Sequence, residues 1–430
     1  MKRFFLFFAF LALIVGCKSV PKNVMIGKSN GLQRGICEPS IVINPKSPNN
    51  VVAAAILDRV FYSFDGGKTW KADTLKSSYG VWGDPVLVAD TKGNIYYLHL
   101  SDPTGKNWLS EEILDRIVCQ KSTDGGMSFN NGSYMGLDHP KDQDKQWAVT
   151  DTAANVYATW TQFDKYGSKD PADKSNILFS KSTDQGETWS KAMRINQFSG
   201  DCLDGDNTTE GAVPAVDLDG NLYVSWSYAN KIYFDRSYDG GQTWLEEDIV
   251  VADQPGGWEI DVPGLMRANG MPVTMVNNNE GPHQGDVYVC WVDEHNGNYD
   301  VWFTRSKDKG NTWSKRMKVN TDVRGGDQFF CWMDVDQVTG QVYIIYYGRK
   351  KANSLKTQVF LASSKDGGLS WENERISKRS FTPNPKVFFG DYNHISVHDG
   401  MVRPIWTRYD RGGKLSIWTA LINKKAQAAE

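Results

Sequence analysis

The chain lacks a net charge of any weight: 48 Lys and Arg stand against 51 Asp and Glu, a formal balance of −3 over 430 residues. So small an excess indicates neither a nucleic-acid protein nor a polybasic membrane binder, and any charge-dependent recognition must be local. Cysteine is sparse and unpatterned. Beyond Cys17 there are Cys37, Cys119, Cys202, Cys290 and Cys331, an odd number without metal-ligand spacing, which points to no zinc site and no disulfide framework and allows two bridges at most. Nothing calls for a metal or a cofactor. The apolar run from Phe4 to Val15 is too short to span a bilayer comfortably.

That run follows Lys2 and Arg3 and leads into Ile14-Val15-Gly16-Cys17, the layout of a secretory signal. The tetrapeptide resembles the bacterial lipobox, which implies a lipoprotein signal over residues 1–17 whose Cys17 is lipidated as the first residue of the mature protein. Residues 18–30 are then expected to be a tether and a closing strand, and 31–425 one domain. A lipid-anchored monomer is expected, at the outer membrane or cell surface, with the periplasmic side as the alternative.

Aromatics and glycine are plentiful, with 16 Trp, 18 Tyr, 19 Phe and 40 Gly. Many short aromatic strands separated by tight turns follow from that composition, hence an all-β fold with ample core material. Internal repeats define it further. The pattern Ser-x-Asp-x-Gly-x-Thr-Trp stands, with small variations, at Ser63–Trp70, Ser122–Phe129, Ser182–Trp189, Ser237–Trp244, Ser306–Trp313 and Ser364–Trp371. Successive starts differ by 59, 60, 55, 69 and 58 residues, the length of one four-stranded propeller blade with its loops.

These octapeptides are Asp boxes, and over the mature length the chain resembles the sialidase-like Asp-box (BNR) superfamily. The resemblance implies that each box is the hairpin between the third and fourth strands of a blade. Asp and Ser side chains can close such a turn onto backbone N–H groups, Gly supplies positive φ, and Trp plugs between blades. The boxes are therefore read as structural.

A second repeat marks the hairpin between first and second strands, from Asn50-Val51-Val52 through Gly93-Asn94-Ile95-Tyr96 and Gly220-Asn221-Leu222-Tyr223 to Gly400-Met401-Val402. It occurs seven times. The seventh unit holds three strands and no box, so Asn23 to Lys28 is expected to supply its fourth strand and remove the open edge. A seven-bladed β-propeller closed by its N-terminal strand is expected, with six blades as the alternative. Asp217-Leu218-Asp219-Gly220 superficially resembles a calcium loop but is read as an ordinary inner hairpin.

In a propeller the turns into each first strand, and the loops between second and third strands, converge around the axis on one face, where function usually sits. At these positions His139, His394, Tyr392 and Glu210 are the candidate catalytic groups. Arg34, Arg59, Lys145, Arg324, Arg349, Arg408 and Tyr409 are the candidate substrate-binding groups. Such a mixture suits an anionic glycan: guanidinium forks hold a carboxylate, aromatics stack on the ring, and His, Tyr or Glu moves protons.

Sialidases carry a Phe/Tyr-Arg-Ile-Pro motif where this chain has Cys37-Glu38-Pro39-Ser40, with Cys37 at the Arg position. In architecture the seven-bladed count also resembles the propeller-type ulvan lyases, which implies β-elimination on a uronate. Elimination, of lyase or dehydratase type, is the first functional reading. A sialidase-like hydrolase and a non-catalytic glycan-binding propeller are the alternatives.

Overall fold

The computed structural model describes residues 19–29, 35–321 and 325–424. Cys17, Arg34 and Arg324, and with them the signal segment, lie outside the described residues. The described chain folds into seven four-stranded antiparallel sheets, a seven-bladed β-propeller. The first blade runs through Ser40–Ile43, Val51–Ala55, Arg59–Ser63 and Lys71–Thr74. Each later blade repeats that order outward from the axis, with innermost strands Val86–Ala89, Asp142–Thr150, Glu210–Val216, Val273–Val276, Gln328–Val335 and His394–His398.

The seventh blade is completed as the repeat count implies. Lys22–Lys28 pairs antiparallel with Leu415–Asn423, Asn23 facing Ala420 and Lys28 facing Ser416. Asn23 also ties this strand to the sixth blade, donating from Nδ2 to the Ile376 carbonyl at 2.8 Å and accepting from the Lys378 amide at 2.7 Å. Where the seventh blade has no box, Arg403 crosses the seam and donates to the Gly66 carbonyl in the first box at 2.7 Å. The last sheet thus reaches the same four strands as the other six.

The boxes show why their residues recur. In the fourth, Ser237 Oγ accepts from the Gly241 amide at 2.8 Å and donates to Asp239 at 2.7 Å. Asp239 accepts from the amide and hydroxyl of Thr243 at 2.9 and 2.6 Å. A Cβ on Gly241, whose φ is +84°, would meet the Phe179 ring at 2.3 Å, so only glycine fits. Trp244 packs edge-on against that same Phe179 at 5.1 Å, and Trp313 and Trp371 do likewise on Phe234 and Phe303. The box thus closes its own turn and clamps the preceding blade.

The inner hairpins have their own anchor. Asp217 accepts from the Asp219 and Asn221 amides, from Asn221 Nδ2 and from the Tyr223 hydroxyl, all within 2.8–2.9 Å. Asp90 and Asp151 repeat that set around Asn94 and Tyr96, and around Asn155 and Tyr157. A carboxylate so filled by donors is a turn anchor, as read from the sequence.

All seven innermost strands line an axial channel of about 280 Å³. Trp147 and Trp332 fill part of it, their ring centroids 4.2 Å apart. All five described cysteines are buried and free; Cys290 and Cys331 place their sulfurs 3.8 Å apart across the fifth and sixth blades.

Candidate active site at the propeller mouth

Where the chain turns into its first strands it repeatedly passes through the left-handed region. Glu38, Asp84 and Lys145 have φ of 52°, 49° and 52°, Gly211 74° and Phe330 48°. In the third, fourth and sixth blades this turn is a bulge, with register breaks between Asp144 and Trp147, Glu210 and Val213, and Phe329 and Trp332. Bulges re-aim side chains, and non-glycine residues held at positive φ gather at functional sites. Here they turn Glu38, Asp84, Asp144 and Lys145 toward one cavity.

That cavity, about 480 Å³, is walled by Trp82, Trp108, Tyr166 and Phe388 around these polar groups and Arg267. Trp108 stacks on Tyr166 with centroids 5.6 Å apart, and Arg267 lies over the Phe388 ring at 5.0 Å. An ion network runs through its wall. Lys145 Nζ reaches Asp391 at 2.6 Å and Asp84 at 3.4 Å. Arg267 grips both oxygens of Asp391, through Nε at 2.9 Å and through Nη2, and reaches Asp204 at 3.4 Å. Asp204 in turn accepts from the Tyr166 hydroxyl at 2.7 Å and from Trp258 Nε1 at 3.2 Å.

The acids are driven in opposite directions. Burial pushes Asp144 up to about 7, against the pull of Lys145. Burial, reinforced by the charges of Asp84 and Asp391, raises Glu38 well above the carboxylate range. Burial works the same way on Asp391, yet Lys145 and Arg267 overcome it and hold that carboxyl well below its ordinary value. Lys145 is raised despite burial, chiefly by Asp391 and Asp84. One group that holds its proton near neutrality thus stands beside one that does not, the division of labour expected of acid–base machinery.

Of the residues singled out in the sequence, Lys145 lies in this wall. Glu210 is fully buried behind it, Oε2 3.4 Å from the Thr161 hydroxyl and Oε1 without a partner among the described residues; burial and then Asp204 raise it strongly. Tyr392 packs against Trp147 at 5.0 Å, its hydroxyl likewise unpartnered and its ionisation pushed up by burial and by Asp84. His394 sits in the axial channel, 4.7 Å from Trp332, and burial drops it to about 3, so it is neutral and off the cavity wall.

The remaining candidates are not brought to the cavity wall. His139 is half exposed, 3.5 Å from Asp115. Arg59 lines a separate groove beside the closing strand and pairs with Asp58 at 3.5 Å. Arg349 is buried in contact with Asp327 at 3.2 Å and the Pro263 carbonyl at 2.6 Å. Arg408 folds onto Trp418 at 3.9 Å and bonds Asp410. Tyr409 donates its hydroxyl to the carbonyls of Asn384 at 2.9 Å and Val387, and so steadies the loop that brings Lys386 and Phe388 to the cavity. The expected ring of arginines is therefore absent among the described residues; the cations lining the cavity are Lys145, Arg267 and Lys386.

Arg267, Asp204 and Phe388 were missed because they sit on long inter-blade loops outside the repeat. Arg267 follows Trp258 through a loop with no periodicity. Among the described residues, no three His, Cys, Asp or Glu side chains are grouped as metal ligands.

Seven blades carrying six boxes, with a polar cavity at the axial mouth, define an Asp-box propeller. The profile of the BNR repeat-like domain matches residues 154–401, and that of the BNR/Asp-box repeat matches 61–72. The chain belongs to the BNR repeat-like domain family.

No curated protein matches it. Among solved structures, a protein of unknown function from Dyadobacter fermentans aligns with TM-score 0.54 at 11% identity, covering 95% of this chain and 99% of that one. A PL25 ulvan lyase bound to a GlcA(1-4)Rha3S unit aligns with TM-score 0.53 at 10% identity, covering 93% and 96%. The Hadza microbial sialidase Hz136 aligns with TM-score 0.49 at 14% identity, covering 87% and 73%. At these identities the likeness is one of fold.

Proposed function

We propose that this propeller is a carbohydrate-active enzyme that hydrolyses a glycosidic bond at the mouth cavity. The observation that carries the reading is the set of carboxyls, Glu38, Asp84 and Asp144, facing one aromatic-walled space, with Asp144 pushed up to about 7. Glycoside hydrolysis passes through an oxocarbenium-like transition state, in which positive charge grows at the anomeric carbon. Buried carboxylates favour that charge. Elimination from a uronate builds negative charge instead, which the ion-paired Asp84 carboxylate would oppose, while Lys145 and Arg267 are already held by Asp391. The acid-rich wall therefore moves hydrolysis ahead of elimination, the reading placed first from sequence.

In this mechanism Asp144 donates its proton to the departing glycosidic oxygen. Asp84, ion-paired to Lys145 in the same wall, takes a proton from the attacking water or attacks the sugar itself. Trp82, Trp108 and Phe388 shed water and stack on the ring. Elimination remains the second reading because Tyr166 donates its hydroxyl to Asp204 beside Arg267, so that it can take a proton from substrate as it passes its own to Asp204.

The test is product analysis over a panel of neutral and uronate-containing oligosaccharides. Hydrolysis yields new reducing ends without the ultraviolet chromophore of an unsaturated uronate, and kcat declines as pH rises through about 7 because Asp144 must carry its proton. Asp144→Asn should lower kcat by about 10²- to 10⁴-fold. Appearance of the chromophore would overturn hydrolysis in favour of elimination, and binding without turnover would leave a carbohydrate-binding propeller.

A further inference from the structure

Beside the main cavity lies a smaller one of about 190 Å³, bounded by Leu203, Asp204, Glu259 and Asp391. Tyr166 and Arg267 line both. The two side chains form a partition, and Asp204 holds it in place: its backbone sits at φ 55° and its carboxylate takes both the Tyr166 hydroxyl and Arg267. Asp144 opens only on the larger side of this partition and Asp391 only on the smaller.

We propose that the smaller cavity is a second sugar subsite, taking the ring on the leaving-group side of the bond cleaved, so that the substrate is a disaccharide or longer chain seated across Tyr166 and Arg267. This rests on the hydrolytic reading of the main cavity. The volume is under half that of the main cavity, on the scale of one sugar ring. Its accessible polar groups are the Glu259 carboxylate and the guanidinium of Arg267, 41% exposed, which suit the hydroxyls of a ring. Trp258 is buried and committed to Asp204, so recognition here is by hydrogen bonds. Leu203, 51% exposed at the rim, is a wall that can be enlarged without touching the ion network.

The test is Leu203→Trp, which fills the smaller cavity from its rim. Wild type and variant are assayed on a panel of glucosyl, galactosyl, mannosyl, arabinosyl and glucuronosyl disaccharides. They are also assayed on the matching glycosyl fluorides, whose leaving group occupies no second subsite. The expected result is a loss of at least tenfold in kcat/KM on the disaccharide that wild type cleaves, with the fluoride unchanged within twofold. Equal losses on both, or none on the disaccharide, would overturn the subsite. If wild type cleaves nothing, hydrolysis fails, and the subsite is read by calorimetry instead. A tenfold weaker disaccharide affinity in the variant, with monosaccharide affinity unchanged, supports the subsite; equal disaccharide affinities overturn it. A Glu259→Gln variant, exposed and outside the main cavity, serves as a milder second probe, with a disaccharide-specific rise in KM expected.

Discussion

Replacing Lys145 by Met tests the electrostatic account of the site most directly. The side chain is 5% exposed and its ammonium lies between Asp391 and Asp84 at 2.6 and 3.4 Å; Met keeps most of its volume and removes its charge. Breaking a buried pair by deleting one partner costs about 3–5 kcal/mol, because the other charge is left in a poor medium. With an unfolding entropy of ~2.1 cal/mol/K per residue over about 400 residues, that corresponds to a fall in Tm of about 4–6 °C.

The pH dependence fixes the sign. In the wild type Asp391 is depressed below its unfolded value, so its pairing stabilises fully above about pH 4 and is lost only as pH falls through the folded value. In the variant the same buried carboxylate keeps Arg267 alone, its proton affinity rises, and protonation relieves the penalty at higher pH. The Tm deficit should therefore shrink between pH 7 and pH 5, and Lys145→Met with Asp391→Asn should be less destabilised than the two single losses combined. Calorimetric scans at both pH values decide it. A variant within 1 °C of wild type at pH 7, or a deficit equally large at pH 5, would refute the network as described.

Two further outcomes follow from the geometry. Ser237→Ala strips the acceptor from the buried Gly241 amide and should cost about 1–3 kcal/mol in chemical denaturation with kcat unchanged; a neutral result would remove the box from the list of stabilising features. His139→Ala should leave turnover within twofold, since its ring lies half exposed beside Asp115 rather than in the cavity wall; a hundredfold loss would show that the catalytic region extends to it.

The box aspartates also make the outer turns sensitive to acid. Asp184 is lowered to about 2 by the Thr188 hydroxyl and amide and by Ser182, and Asp65, Asp308 and Asp366 are lowered to about 2 as well. Their contribution is present above the unfolded value near 4 and lost as pH falls through the folded one. The hinge of each outer turn is thus weakened by acid and indifferent to change around neutrality.

The sequence by itself determined the repeating part of this protein. Six boxes and seven inner hairpins are local devices, a few residues closing a turn on themselves, so Ser237 and Asp239 or Asp217 and Tyr223 announce their contacts by spacing alone. Seven inner hairpins against six boxes pointed to Asn23 to Lys28 as the closing strand, the place that Lys22–Lys28 takes. Lys145 was legible as a mouth residue because it stands at the entry of a recognisable first strand.

What only the tertiary structure decided is which mouth residues meet. Arg349 and Arg408 stand at the ends of second strands, at the mouth where Lys145 enters on a first strand, yet each is consumed by its own blade, on Asp327 and on Asp410 and Trp418. Asp391 finds Lys145 across 246 residues and Arg267 across 124, and no local pattern encodes such a meeting. Its electrostatics follow from burial, which the sequence does not specify: the same residue type is held charged at Asp391 and left near neutrality at Asp144. The ring is written in short-range turns, and the site in long-range charge.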